Sequence, residues 1–336
     1  MRKWWVILTL VVTLGTSLTP GSVHAATKQQ VANVKKVLKD NKVNGIVLVD
    51  GTNKKPQVIS NVETKDKKQV VKADRLVPIA SFQKLITGMA IMKLADKHKI
   101  SLDDPISKYV SKIPSSNGVT LSRLMTHTSG VVNGPQALKK PLRTEKQQLK
   151  YNMQGIKGTG NFKWSYTDLD YVLLAAVISK ASGQSYFHYV TKNLLAPAGV
   201  KAKLYTQVKP KQVTEAMGGQ YNWDAIKYGL SPELGAGDFL MTPNDYWRFY
   251  HLEFLKNHKL IQEFIDKQDP NNQEKYFGGT YLERPSLHAN GFIGGYAATL
   301  YSNYETHQTL IFFSNNISYP MLRQLNSKLV AAYFIK

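Results

Sequence analysis

Strand patterns occur near both ends of this sequence, and helix patterns occupy the middle. Near the start, two short apolar runs, 45–51 and 56–60, are separated by turn residues. Near the end, two more apolar runs flank a turn at 303–306. Strands this far apart in the chain can still pair in one sheet, while the residues between them form a separate layer. The pattern therefore predicts an α+β fold with one antiparallel sheet and a mainly helical lobe over about residues 100–250.

A helix pattern flanks the strand patterns at each end of the chain. Val31, Val34 and Leu38 have helical spacing with lysines on the other face, and residues 319–335 form a closing apolar-rich segment. We expect both terminal helices to pack on the sheet. Residues 81–95 are apolar almost all round, which is typical of a buried helix.

The first 25 residues resemble a secretory signal peptide. Arg2 and Lys3 form a basic start, an uncharged run follows, and a cleavage-site pattern precedes Ala26. The alternative is an uncut membrane anchor, for which the apolar run 4–14 is short. We therefore expect secretion, with residues 26–336 forming one domain.

The composition indicates an anionic partner. The net charge is +21, yet only seven of the 44 basic residues are Arg, which makes the forked contacts typical of phosphate and base recognition. Outside the cell this excess favours teichoic acid, peptidoglycan or another wall polymer, or an anionic membrane surface, over nucleic acid. The alternative is a solvated, lysine-rich surface that aids solubility. The absence of Cys excludes disulfides, a thiol nucleophile and a Cys-linked lipid anchor.

Ser81 and Lys84 form a Ser-x-x-Lys pair at the start of the buried helix. Unpaired N–H groups at a helix start favour a developing oxyanion. Residues three apart lie on one helix face, and an amine in apolar surroundings loses part of its proton affinity, so Lys84 could accept the serine proton. Ser81 is the one serine in the sequence with Lys at the third following position. The alternative is that the two residues lie three apart by chance.

Two downstream phrases resemble motifs of the serine penicillin-recognising family. KISLDDPISKYV and VTLSRLMTHTSGV follow the Ser-x-x-Lys pair in the order that this family shows. The family holds class C β-lactamases, D,D-carboxypeptidases and related esterases. The resemblance runs from about Gly45 to the C-terminus. It implies a β-lactamase/transpeptidase-like fold and a hydrolase that acts through an acyl-Ser81 intermediate.

The family's second motif, Tyr-x-Asn, corresponds here to Tyr166-Thr167-Asp168. By resemblance, Tyr166 would relay the proton with Lys84, and a phenol beside an ammonium loses its proton more easily. Asp168 stands where the family has Asn. A carboxylate only accepts hydrogen bonds, so Asp168 would pair with Lys84, which keeps that amine protonated, or with a cationic substrate group. The alternative is that Asp168 caps the helix beginning at Leu169.

The family's third motif, Lys/His-Thr/Ser-Gly on a strand, falls in LHANGFIGGYAATL. One alignment places His288 at the cationic position that attracts a substrate carboxylate in the family. The other makes Ala289-Asn290-Gly291 the triplet, and this one-residue shift would turn His288 away from the cleft because successive strand residues face opposite sides. The second oxyanion N–H would come from Gly291 or Phe292. We include His288, Asn290, Gly291 and Phe292 as candidate substrate-binding residues.

Other catalytic patterns are missing from the sequence. His127, in THTSG, is interpreted as a residue that fixes its loop rather than as a base. The eight histidines show no metal-ligand spacing, and the sequence has no HExxH, Gly-x-Ser-x-Gly or phosphate-binding motif. We expect neither a metal nor a cofactor.

The departures from the family pattern predict a substrate class. Asp168 suits an ammonium, the weakened third motif no longer calls for a substrate carboxylate, and the surface is basic. A D-alanyl ester on teichoic acid has a free ammonium, no free carboxylate and a polyphosphate chain, whereas a D-alanyl-D-alanine terminus has the opposite features. The sequence therefore predicts a secreted, wall-facing serine esterase that removes D-alanyl groups from teichoic acid.

Two alternatives stay open at this point. A D,D-carboxypeptidase or a broad esterase would use the same nucleophile on peptidoglycan-type substrates, and a β-lactamase is less favoured because penicillins carry an acylamide and a carboxylate. A catalytically silent protein would use the cleft or the basic surface to bind a wall polyanion. Labelling by a serine-directed probe, abolished by Ser81→Ala, would distinguish an enzyme from such a binder.

Overall fold

Strands from both ends of the chain pair in one antiparallel sheet in the computed structural model of the protein. The structure describes residues 25–52, 55–111, 113–218, 222–269 and 272–335. The predicted signal peptide lies outside these residues apart from Ala25. The strands are β1 Gly45–Thr52, β2 Lys55–Asn61, β3 Val77–Pro78, β4 Val131–Val132, β5 Lys157–Gly158, β6 Lys203–Leu204, β7 Phe239–Met241, β8 Tyr276–Phe277, β9 Thr280–Glu283, β10 Ser286–Ile293, β11 Tyr296–Asn303 and β12 Thr309–Ser314. The α-helices are α1 Lys28–Asp40, α2 Gln83–Asp96, α3 Leu121–Met125, α4 Glu145–Asn152, α5 Asp168–Ser182, α6 Tyr186–Val190, α7 Trp223–Leu230, α8 Pro243–Phe249, α9 His258–Asp266 and α10 Tyr319–Phe334.

The largest sheet has the strand order β2-β1-β12-β11-β10-β9-β8, and every neighbouring pair is antiparallel. In the pairing of β1 with β12, Gly45 lies opposite Ser314, so strands from the two ends of the chain are neighbours. The predicted β1–β2 and β11–β12 hairpins are both present. Strands β8 and β9, at the outer edge, were not predicted.

The two faces of this sheet bury different layers. Along β1, Val47 and Val49 pack with residues of α1 and α10, whereas Ile46 and Leu48 pack with residues of the helical lobe. This alternation follows from the two-residue period of a strand. The predicted terminal helices are therefore confirmed, and they cover one face of the sheet together.

The helical lobe covers the other face and centres on α2 and α5, which pack against each other. Both helices are buried along most of their length. Helix α5 ends at Gly183, whose φ of +69° is the left-handed conformation typical of a helix C-terminus. Helices α3–α9 occupy the chain from Leu121 to Asp266. Across the described residues, no helix combines the length and the apolar character needed to cross a bilayer.

Candidate active site

Ser81 lies in a single 3-10 turn, Ala80–Phe82, between β3 and α2. Ala80 has a φ of +47°, in the left-handed region that residues with a Cβ rarely adopt, so the chain turns sharply just before Ser81. The Phe82 N–H donates to the Ile79 carbonyl at 3.1 Å and closes the turn. Ser81 therefore lies immediately before α2, rather than in its first turn as expected, beside the helix N–H groups that lack intrahelical partners.

Lys84, one turn into α2, is fully buried and reaches back to Ser81. Its Nζ lies 2.9 Å from Ser81 Oγ, 2.5 Å from Asp168 Oδ1 and 3.1 Å from the Ala236 carbonyl oxygen. An ammonium has three N–H donors, so the three oxygens match a protonated amine.

The proton affinity of Lys84 is higher than its apolar surroundings alone would give. Burial by itself would lower the pKa of Lys84, but the ion pair with Asp168, assisted by the Tyr166 phenol, outweighs burial and raises the pKa above its ordinary value. The expectation of a weakened amine at this position is therefore wrong, whereas the expectation that Asp168 would keep it protonated is confirmed.

Tyr166, on the loop before α5, completes the contact with Ser81. Its hydroxyl donates to Ser81 Oγ at 2.9 Å, and Lys84 Nζ lies 5.0 Å from the centre of its ring. Burial raises the pKa of Tyr166, and the Lys84 ammonium offsets only part of that rise. The expectation that the ammonium would leave this phenol more acidic than usual is thus wrong for the resting site.

Asp168 does not cap α5, so the capping alternative is wrong. The cap is Thr167, whose hydroxyl accepts from the Leu169 N–H, and Asp168 is the first residue of the helix. The Asp168 side chain is 46% exposed, although the Lys84 side chain with which it pairs is buried. One oxygen of this carboxylate therefore binds Lys84, and the rest of the side chain is accessible to solvent.

Ser81, Tyr166 and Asp168 line one cavity of about 410 Å³. Aromatic rings make up much of its remaining wall, with two glycines and one amide. The other lining residues are Trp164, Tyr276, Gly279, Tyr281, Asn290, Gly291, Phe292 and Tyr319.

Strand β10 forms the wall of this cavity opposite α5. A methyl group added at Gly291 would lie 2.7 Å from the Ile79 carbonyl oxygen and 3.4 Å from the Ser81 nitrogen, so only glycine allows this close approach. Strand β9 pairs with β10 only as far as His288, which leaves the edge from Ala289 onward without a partner strand. The backbone of this edge therefore faces the turn that carries Ser81.

His288 does not line the cavity, so the first alignment of the third motif is wrong. Its ring is stacked between Tyr281 and Tyr301, with ring centres 4.6 and 5.3 Å away. Burial lowers the pKa of His288 to about 4, so the ring is neutral near pH 7. The close approach belongs to Gly291, where the second alignment placed the glycine of the triplet.

Asn290 and Phe292 are the other two predicted residues on this strand, and both line the cavity. Asn290 Oδ1 accepts from Thr299 Oγ1 at 2.7 Å and from Asn326 Nδ2 at 2.9 Å, so the fold already uses its carbonyl. The Phe292 ring meets Tyr319 edge-on, with ring centres 5.8 Å apart.

His127 is buried behind Tyr166 and has the loop-fixing contacts expected for it. Its Nδ1 lies 2.9 Å from Asp170 Oδ2, its carbonyl accepts from the Ser165 N–H at 2.8 Å, and its ring centre lies 4.4 Å from that of Tyr166. Burial, followed by the charge of Lys84, lowers the pKa of His127 well below its ordinary value. A neutral imidazole therefore supports the loop that carries Tyr166.

Several residues around the site were not predicted from the sequence. Asp170 lies in the first turn of α5, accepts from the Ser129 hydroxyl at 2.5 Å and has its Oδ2 2.9 Å from His127 Nδ1. A second acidic residue in the first turn of a buried helix was the signal that could have identified it. Tyr276 and Tyr281 come from the β8–β9 hairpin, whose Gly278-Gly279 turn indicates a hairpin. Within the described ranges, no group of His, Asp and Glu side chains is arranged to hold a metal ion.

Comparison with known proteins places these features in context. The family model described as Beta-lactamase matches residues 31–332. A putative penicillin-binding protein, PbpX, of Bacillus subtilis (strain 168) is 28% identical over 319 residues, which is 90% of this chain and 80% of that protein. A teichoic acid D-alanine hydrolase of Staphylococcus aureus is 30% identical over 238 residues, which is 67% of this chain.

The match to the staphylococcal hydrolase covers 58% of that protein, so this chain spans little more than half its length. Among solved structures, FmtA from Staphylococcus aureus superposes with a TM-score of 0.71 at 20% identity, covering 94% of this chain and 92% of that one. The overall architecture is therefore shared with that protein despite the low identity.

Proposed function

This chain belongs to the β-lactamase family and is a serine hydrolase of the penicillin-binding-protein type, and we propose that it removes D-alanyl esters from teichoic acid outside the cell. The observation that carries the proposal is the Asp168 carboxylate, which is open to the same cavity as Ser81. Among the described residues, neither Lys nor Arg lines that cavity. The site therefore suits an acyl group with a free ammonium better than one with a free carboxylate.

The proposed reaction forms and then hydrolyses an ester of Ser81. Ser81 Oγ attacks the D-alanyl carbonyl carbon and its proton passes to the Lys84–Tyr166 pair, which returns it to the departing polymer alcohol. Water then attacks the acyl-enzyme and releases D-alanine. The Ser81 N–H and an N–H from the Gly291–Phe292 edge would hold the oxyanion, because a side-chain-free Gly291 brings the edge close to Ser81.

The polymer part of the substrate would meet two adjoining lysine-rich loops, the first at residues 62–76 and the second at residues 205–218. The Arg75 guanidinium donates to the carbonyl oxygens of Lys67, Lys211 and Val213 at 3.1, 3.2 and 3.0 Å, which joins the first loop to the second. The exposed lysines of these loops form no ion pair among the described residues; they are Lys65, Lys67, Lys68, Lys72, Lys209 and Lys211. Such a surface attracts a chain of phosphodiesters.

The second of these loops is attached to β11, the partner of the strand β10 that forms one wall of the cavity. The Tyr296 hydroxyl, in β11, donates to the Thr214 carbonyl at 2.6 Å. Tyr296 pairs with Ile293, the residue after Phe292. A polymer bound along the lysines would therefore have its side groups close to the opening beside Phe292.

The location of the protein belongs to the same proposal. Export would follow from the leader at residues 1–25, and the basic surface would then hold the protein on the wall or at the membrane surface. Retention of this kind weakens as salt screens the charges. We expect washing with high salt to release the protein from isolated walls, whereas release only by detergent would indicate an uncut leader.

The teichoic acid D-alanine hydrolase relative, of which the match covers 58%, supports the substrate. The direct test is to incubate residues 26–336 with D-alanylated lipoteichoic acid and to measure free D-alanine. We expect release by the unaltered protein and none by Ser81→Ala. If D-alanine is released instead from a muropeptide ending in D-alanyl-D-alanine, the protein is a carboxypeptidase. If neither substrate reacts and no serine-directed probe labels Ser81, the protein is a catalytically silent one that binds a wall polyanion.

A further inference from the structure

The resting site holds its base in the wrong protonation state for catalysis. Lys84 Nζ lies 2.5 Å from the Asp168 carboxylate, an ion pair that holds the amine as an ammonium, and it also contacts Ser81 Oγ and the Ala236 carbonyl oxygen. An ammonium has no lone pair with which to accept the Ser81 proton. Some event in the catalytic cycle must therefore free Lys84 of a proton before Ser81 can attack.

Asp168 is the group that fixes this state. Other titratable side chains face Lys84 from every element packed around it, namely Tyr166, Asp170 and Tyr171 near α5, His127, Glu233 and Tyr281. Burial raises the pKa of Asp170 well above its ordinary value and, with the charge of Asp168, raises the pKa of Glu233 to about 8. Burial therefore disfavours the charged form of both groups, which weakens them as counter-ions to Lys84. Within the described residues, Asp168 forms the only ion pair with Lys84.

The Asp168 carboxylate is also within reach of a substrate. Its Oδ1 holds Lys84, and no other described residue donates to this side chain, which is 46% exposed. Lys84 Nζ bridges Asp168 and Ser81, so the two lie within two hydrogen-bond lengths of each other. In an α-aminoacyl ester, the ammonium is on the carbon next to the carbonyl. With that carbonyl at Ser81, the ammonium would lie beside Asp168.

We propose that the substrate's own ammonium switches on the site by taking over the Asp168 carboxylate from Lys84. The incoming cation shares the carboxylate, and Lys84 loses one proton to solvent by way of the half-exposed Asp168 carboxylate. The neutral amine then accepts the Ser81 proton as Oγ attacks. The net charge of the site is unchanged, because one bound ammonium replaces one departing proton. A substrate without the ammonium leaves Lys84 protonated and reacts slowly.

This inference rests on the proposed function only in taking the natural acyl group to carry an ammonium. It makes Asp168 a residue that sets specificity through the base as well as through contact. An N-acylated or deaminated ester would be rejected even where it fits, because it cannot release Lys84. A small amine supplied separately should restore the missing charge.

The test uses p-nitrophenyl propionate, which has the alanyl chain without its amine, with methylammonium chloride added at constant ionic strength. The unaltered enzyme should be activated in a saturable manner by at least about tenfold, which is the effect of one pKa unit on the base. Tetramethylammonium, which has no N–H, is the matched control and should activate less. Asp168→Asn should hydrolyse the neutral ester faster than the unaltered enzyme does and show no activation. Equal activation of both proteins, or activation of neither, would overturn the inference.

A second measurement does not depend on that variant. Binding of D-alaninamide to Ser81→Ala, followed by calorimetry in buffers of different ionisation enthalpy, should release about one proton per ligand, as the charge exchange requires. Binding without proton release would contradict the switch. If D-alanine is released from lipoteichoic acid but amines do not activate, the switch fails and the proposed function stands. Amine activation without that release would support the switch and overturn the proposed function.

Discussion

The two walls of the Ser81 cavity differ in charge, although both come from buried parts of the fold. The α2–α5 wall carries an ammonium and a phenol in contact with Ser81, and a carboxylate paired with that ammonium. The β10 wall offers a backbone edge and the Phe292 ring, while His288 is stacked between tyrosines and neutral. The charge is therefore concentrated on one wall and ends in a carboxylate, an arrangement that favours the amine end of a substrate over its carboxylate end.

The largest expected effect comes from removing one hydroxyl from the charged wall. Tyr166→Phe keeps the ring but deletes the donor to Ser81, so kcat for ester hydrolysis should fall by about a hundredfold to ten-thousandfold, the usual size of acid–base assistance. Tyr228→Phe is the control, because Tyr228 is 40% exposed, close to the 39% of Tyr166, and its hydroxyl also makes one hydrogen bond. If kcat of Tyr166→Phe is close to that of the control, the Tyr166 hydroxyl takes no part in the mechanism.

The next effect concerns the neutral wall and appears in stability. The pKa of His288 is lowered to about 4 in the folded protein, so the unfolded chain binds the proton more readily. The stability linked to His288 is therefore complete above about pH 6.5 and is lost as the pH falls through 4, by at most about 3 kcal/mol. His288→Phe keeps a ring between the tyrosines and should lose less stability over that range in urea titrations. Parallel curves for the two proteins would show that His288 binds its proton equally well in the folded and unfolded chain, which would contradict the burial of a neutral ring on this wall.

The smallest effect tests how closely the two walls must approach. In Gly291→Ala the new methyl group would lie 2.7 Å from the Ile79 carbonyl oxygen, so β10 must move away from Ser81. We expect kcat to fall by about tenfold and stability by about 1–3 kcal/mol, as for other overpacked sites. Gly229→Ala is the control, since its methyl group would meet Ile293 at an ordinary 3.4 Å. Unchanged kcat in Gly291→Ala would mean that this edge takes no part in the reaction.

The contrast between the walls also explains which features of the fold and the site could be predicted from the sequence. Ser81 lies in the turn just before α2, Lys84 lies in the first turn of that helix, and Tyr166 comes just before the buried helix α5. Local spacing and motif order were therefore enough to predict that the three residues meet. The terminal helices and the outer hairpins followed from periodicity in the same way. These features depend on short stretches of chain.

The remaining features depend on contacts between distant segments. The register of β10 places Gly291 against the turn at Ser81, a contact between distant segments that no pattern within the strand records. The protonation of Lys84 follows from a balance between burial and the Asp168 charge, and only the folded structure fixes which of the two is larger. The tyrosines of the β8–β9 hairpin were missed because each strand is only a few residues long.

The most direct test of the proposed mechanism is to look for the acyl-enzyme itself. The protein is mixed with D-alanylated lipoteichoic acid, quenched in acid within the first turnover, and digested for mass spectrometry. We predict one alanyl group on the peptide that contains Ser81, absent from Ser81→Ala and absent when the polymer has first been stripped of D-alanine. Release of D-alanine with no alanyl group on Ser81 at any quench time, or with the group on another residue, would contradict the mechanism.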